Sequence, residues 1–132
     1  MKKQILHDKD STNAEQAELF YSQLLKIYEQ IKSEGKIEVF GDLDFEIVGK
    51  IDNKKQRIAK LKGNKILVKL NAVMLPKSAL KYMIVHEMAH MLTKRHTKKF
   101  WKVVETIYPN FEIGEKLFIE YGKHLCDLDR SE

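Results

Sequence analysis

Cysteine is nearly absent from this chain: Cys126 stands alone among 132 residues. A single thiol excludes an intrachain disulfide, and a domain that folds without one fits a reducing compartment. Long apolar runs are missing too. No stretch approaches the ~20 residues of a transmembrane helix. At the N-terminus, only Ile5 and Leu6 separate two lysines from the next charges, far short of the apolar region of a secretory signal. These absences predict a cytoplasmic protein that makes no use of a membrane. No internal repeat or low-complexity segment is present, which excludes repeat arrays and fibrous architectures.

What is there has the balance of a globular domain: 43% hydrophobic and 33% charged residues. The length predicts one domain over 1–132, with the polar residues 1–10 flexible. A chain of this size buries roughly two-thirds of its unfolded surface, so one core suffices. The net charge is +5, and all but three of the 24 cations are lysine. That surface admits an acidic or phosphate-bearing ligand and leaves nucleic acid undecided.

The apolar pattern changes period along the chain. "TNAE", Thr12 to Glu15, reads as a capping box. Behind it Ala17, Phe20, Tyr21, Leu24, Ile27, Tyr28 and Ile31 recur at helical spacing, up to a stop at Gly35. Residues 36–71 are β-branched and partly alternating ("KIEVF", "LDFEIVGKI", "RIAKL", "KILVKLN"). They predict three or four strands, the last two forming a hairpin around Gly63-Asn64. Residues 77–93 predict a buried helix opened by Pro76, with Leu80, Ile84, Met88 and Met91 on one face and Val85, Ala89 and Leu92 beside it. Thr97 reads as the cap of a helix carrying Phe100, Val103, Val104 and Ile107, stopped by Pro109. Asn110 reads as the cap of a last helix with a stripe of Ile113, Leu117, Tyr121, Leu125 and Leu128. The order is helix, small sheet, three helices: an α+β fold.

Three of the five histidines fall in "HEMAHMLTKRH", His86 to His96. On a helix, His86 and His90 point the same way and can grip one ion at ~2.0–2.1 Å. Glu87 lies ~100° round from His86, too far to complete the ligand set but able to reach a water on the ion. This is the HExxH arrangement of two ligands and a general base. Its neighbours Met83, Ile84, Val85, Met88, Ala89, Met91 and Leu92 carry no charge. Imidazoles and a carboxylate in such a setting need partners, because an unpaired buried polar group costs several kcal/mol. Zn2+ is the default ion for imidazole ligands with an open position; iron, nickel, cobalt and manganese stay open by ligand type. A third ligand can come from His96, if the chain leaves the helix before Thr97 caps the next one. It can also come from Glu112 or Glu115 on the last helix.

From Ile66 onward the chain resembles the YgjP-like metallopeptidase family of zincins. The residues that carry the likeness are Ile66, Leu70-Asn71, Leu75-Pro76, Tyr82, His86-Glu87, Ala89-His90, His96, Phe100-Trp101, Pro109 and Phe111. The pattern is an asparagine-ended strand, "LP", an HE-x-AH helix, H-x-x-x-FW and a proline. The resemblance implies a minimal zincin-like domain with a zinc site of His86, His90 and His96, Glu87 as catalytic base, and a peptide or protein substrate. It also implies a cleft edged by a strand within 65–71. Of the arginine-tryptophan-glycine-serine stretch that the family usually places before that strand, only Arg57 could correspond. The helix and short strands at the N-terminus are more similar to SprT-type zincins. The same activated water would also suit hydrolysis of nucleotides or other phosphoanhydrides, and the scaffold would suit a non-catalytic binding module.

Other residues have a plainer reading beside a functional one. Lys94, Arg95, Lys98, Lys99 and Lys102 crowd His96 and form either an anion-binding rim or a solvated face. Trp101 is expected to pack. Tyr108, Tyr121 and His124 are candidate oxyanion stabilisers. Cys126 could offer a blocking thiolate in a latent form.

Overall fold

The computed structural model describes residues 11–35, 43–51 and 57–125. Helix α1 spans Ser11–Glu34, and the seven apolar residues that the periodicity assigns to one face are all buried. It ends where Gly35 turns to φ 64° and its N–H bonds Lys32 O at 3.0 Å, a left-handed exit that glycine makes without strain. The helix already includes Ser11, so Thr12 lies inside it rather than at its cap. The segment "KIEVF", residues 1–10 with their expected flexibility, His7 and Cys126 lie outside the described residues.

Three strands form the sheet: β1 (Asp44–Val48), β2 (Ala59–Lys62) and β3 (Lys65–Lys69). Their spatial order is β1-β3-β2. The pair β2/β3 is the expected hairpin, turning through Gly63 at φ 65°, while β1 lies parallel to β3. Ile66 and Val68 of β3 and Phe45 and Ile47 of β1 point into the core, with the period of two that a half-covered sheet imposes.

This order corrects the expectation that residues 65–71 edge the cleft. Strand β3 is central, and both its sides are already paired. The strand also ends sooner than expected: Leu70–Met74 form a 3-10 turn, and Asn71 belongs to that turn. Among the described residues, the sheet edge beside the histidine-bearing helix belongs to β2.

Helix α2 spans Lys77–Ala89, with Ala79, Leu80, Ile84, Val85 and Ala89 fully buried. A helix buried on most sides is held by packing over its whole length, so side chains at its C-terminal end start from a fixed base. It is shorter than the expected 77–93. Met91 and Leu92 follow it, and Leu92 is 47% exposed. Helix α3 covers Lys98–Ile107 and helix α4 covers Phe111–Leu125.

The expected stripe on α4 is corrected in part. Ile113 and Tyr121 are exposed, at 60% and 42%. The inward face carries Leu117 as expected, together with Phe111, Gly114 and Phe118; the Leu125 side chain and Leu128 lie outside the described residues. A Cβ on Gly114 would stand 2.5 Å from Ser78 O and 3.0 Å from Tyr82 Cβ. The absent side chain lets α4 sit close on α2, a contact that a count of large apolar residues cannot see. No helix among the described residues is long and apolar enough to cross a membrane.

Candidate metal centre

The site begins where α2 stops. The N–H of His90 is shared between His86 O at 3.3 Å and Glu87 O at 3.1 Å. Met91 N–H then bonds Met88 O, and Leu92 N–H bonds Ala89 O, both at 3.0 Å. These three-residue spacings tighten the last turn into 3-10 geometry and lead the chain off the helix axis without a glycine. Thr97 then takes extended angles (φ −89°, ψ −179°) at the N-cap of α3 without a side-chain capping bond.

The result is convergence. His86, His90 and His96 each offer one ring nitrogen, and the three nitrogens lie within 4.8 Å of one another. His96 Nε2 is 3.1 Å from His90 Nε2. Two ligands at ~2.05 Å from a tetrahedral ion stand ~3.3 Å apart, so this pair already has the spacing of two corners. His90 Nδ1 lies 3.2 Å from Thr93 O. A carbonyl only accepts, so Nδ1 carries the proton and Nε2 keeps a bare lone pair, the arrangement that orients a ligating histidine. Partial desolvation, then the neighbouring His86 and His90, push the His96 pKa below the usual imidazole value, with Glu87 opposing. A neutral His96 likewise has a lone pair to give. The donor set and its spacing fit a divalent metal ion. Among the described residues it is the one such group of three or more histidine, cysteine or acidic side chains.

The chain's match to protein families bears on the same residues. The model for a "YgjP-like, metallopeptidase domain" matches residues 50–118, just over half of the chain. The chain belongs to the YgjP-like metallopeptidase family. Among solved structures it is similar to the metallopeptidase zymogen of Pyrococcus abyssi abylysin, with a TM-score of 0.52 and 20% identity over 79% of this chain and 89% of that one. At that identity the likeness shows a shared fold. No curated protein matches the chain.

For a YgjP-like metallopeptidase the surroundings of the histidines are telling. Phe100, fully buried, places its ring 5.1 Å from His86 and 4.7 Å from both His90 and His96 by centroid. It is a common apolar floor for the three imidazoles. Trp101 stacks on Phe111 at 5.8 Å and 23°, so it packs as expected. Glu87 is buried, with Oε2 3.5 Å from His86 Nδ1. It lines, with the three histidines, a cavity of about 280 Å3 whose other walls include Arg57, Ile58, Ala59 and Phe118.

Tyr82, which the sequence offered only as part of the family likeness and without a role, also lines this cavity, one helical turn before His86, with ring centroids 5.7 Å apart. Its hydroxyl donates to Glu115 Oε2 at 3.4 Å. Burial, then the Glu115 carboxylate, hold the phenol well above the usual tyrosine range, so it stays protonated. The i, i−4 relation to His86 was the signal available. Of the expected tyrosines, Tyr108 lies under the Lys81 ammonium (4.5 Å to the ring centroid), and Tyr121 faces outward; neither lines the cavity. The side chain of His124 lies outside the described residues. The rival ligands, Glu112 and Glu115, are not in the group of three histidines. Glu115 accepts from Tyr82, and Glu112 lines a second groove with Lys98, Trp101, Lys102 and Glu105 that adjoins His96.

Proposed function

We propose that the chain is a single-domain, cytoplasmic zinc peptidase in which His86, His90 and His96 hold Zn2+ and Glu87 is the general base. The observation that carries this reading is the convergence of three imidazole nitrogens within 4.8 Å beside a buried carboxylate. A bound zinc ion supplies Lewis acidity, making a water acidic near neutral pH and polarising the scissile carbonyl.

The chain's own residues do the rest. Glu87 accepts the proton of the attacking water at its carboxylate and returns it to the nitrogen of the leaving amine. Phe100 excludes water behind the imidazoles and fixes their rings. The Thr93 carbonyl sets the His90 tautomer. Strand β2 positions substrate. Lys69 N–H bonds Ile58 O at 3.0 Å, so residues 58, 60 and 62 bond inward to β3, while Ala59 and Leu61 turn their amide and carbonyl groups outward. Among the described residues nothing pairs with that edge. An extended peptide can add there by main-chain hydrogen bonds.

Peptide hydrolysis is preferred over a purely phosphate-directed chemistry because the lysine-bearing groove beside His96 also contains Glu105 and Glu112, which offset its charge. The deciding experiment incubates zinc-loaded protein with a peptide library and a nucleotide panel, with Glu87→Gln as control. Peptide cleavage reduced ~10²–10⁴-fold by Glu87→Gln, at unchanged zinc content, is expected. Nucleotide hydrolysis without peptide cleavage, or loss of zinc with Glu87, would overturn the reading.

A further inference from the structure

The cavity beside the histidines contains one charged group that this chemistry does not use. Arg57 lines it together with His86, Glu87, His90 and His96. The residue is exposed, and among the described residues no ion pair or hydrogen bond holds its guanidinium. Glu87, the one carboxylate of the lining, is committed to the attacking water. Among the described residues nothing accepts from its five N–H donors.

The place of Arg57 along the strand gives this a direction. Because Ile58 O accepts from Lys69 N–H, the β2/β3 ladder reaches back one residue before Ala59. Arg57 is the next residue out. The period of two puts it on the same face as Ala59, which also lines the cavity. A peptide paired along the outward amides of Ala59 and Leu61 passes Arg57 as it runs by the histidines.

We propose that Arg57 binds a carboxylate of the substrate next to the scissile bond, making the enzyme selective for peptides that are negatively charged at that position. A planar guanidinium matches a carboxylate with two parallel hydrogen bonds. Stabilisation of the reaction's oxyanion is a poorer use of this side chain. That role needs donors fixed in advance, and no described residue braces Arg57, whereas an unbraced side chain can close on a carboxylate that is already bound. The carboxylate can belong to an Asp or Glu side chain or to the substrate's own C-terminus. The inference rests on the peptidase reading above.

The test measures binding, by calorimetry, of three peptides of one length to zinc-loaded Glu87→Gln protein. The first carries Glu beside the central bond and a C-terminal amide. The second replaces that Glu by Gln and has a free C-terminus. The third has Gln and an amide. Adding Arg57→Gln is expected to weaken one carboxylate peptide roughly tenfold or more and to leave the third within about twofold. Which of the two loses affinity identifies the source of the carboxylate. Arg57→Glu is expected to invert the preference toward a peptide with Lys in place of the Glu, which a merely structural arginine would not do. Equal weakening of all three peptides, no weakening, or no binding at all overturns the proposal. Cleavage by the wild-type protein is scored separately. A binding difference without cleavage sinks the peptidase reading and leaves Arg57 as a carboxylate site; cleavage without a binding difference sinks Arg57 alone.

Discussion

His96 Nε2 stands 3.1 Å from His90 Nε2, although six positions separate them in the chain. On an unbroken helix they would lie ~9 Å apart along the axis and point ~120° away from each other. The chain leaves the helix after Ala89 and bends at Lys94 and Arg95, which removes that separation. If His96 is the third ligand, His96→Ala weakens zinc binding by at least the ~10–100-fold that loss of an outer-shell partner alone costs. Glu112→Ala and Glu115→Ala leave it within a few-fold. Chelator competition on the three variants checks this, and zinc loss in either glutamate variant would reverse the assignment.

A metal ion held by all three histidines would join two parts of the chain, since His86 and His90 sit at the end of α2 and His96 just before α3. Binding to the folded state alone stabilises it by about 2.7 kcal/mol at a free ion concentration of 100 times Kd, several degrees in Tm for a protein this size. The expected result is a higher Tm with zinc, reversed by chelator. Equal melting of the metal-free and zinc-loaded forms would show that the three histidines do not act as one site.

The two glycines of α4 respond oppositely to the same change. Gly114→Ala drives a methyl against Ser78 O at 2.5 Å, a backbone atom that cannot yield cheaply, and overpacking of this kind costs about 1–3 kcal/mol. A Cβ at Gly122 meets Ile58 Cδ1 at an ordinary 3.5 Å. There the gain in helix propensity, about 0.8–1 kcal/mol, is kept. Denaturant unfolding is expected to place Gly114→Ala below and Gly122→Ala above the wild type.

Alkaline stability reports on the contact between α1 and the sheet. The Tyr21 hydroxyl donates to Asp44 Oδ1 at 2.8 Å, and burial, then that bond and the carboxylate's charge, push its pKa up to about 12. An unfolded tyrosine ionises near pH 10. The folded state therefore holds the proton more tightly, so this contribution is complete below about pH 10 and is lost as pH rises toward 12. Tyr21→Phe is expected to unfold less steeply than the wild type across that window. Parallel curves for the two proteins would mean that Tyr21 does not couple to folding.

Much of this was legible in the chain, for local reasons. The α1 face, the hairpin at Gly63 and the grouping of His86 with His90 follow from spacing alone. The bend that returns His96 was readable as a conflict: helical geometry forbids the grouping, while Thr97 and Phe100 begin a new helix. Other features depend on what lies opposite. Strand order is a tertiary choice, so the cleft edge fell to β3 on paper and to β2 in the fold. The inner face of α4 is marked by Gly114, whose contribution is the volume it leaves out. Tyr82 and the Phe100 floor take their meaning from side chains packed against them, which no period in the sequence reveals.

The hairpin at Gly63 has a last consequence, for how this protein tolerates changes of length. Because β2 hangs from β3 by a two-residue turn, the alternation along β2 is clocked from that turn. A slip of one residue would turn the outward amides of Ala59 and Leu61 inward and carry Arg57 to the opposite face. An insertion or deletion at Gly63-Asn64 therefore reprograms what the cleft can read without altering a single residue that lines it.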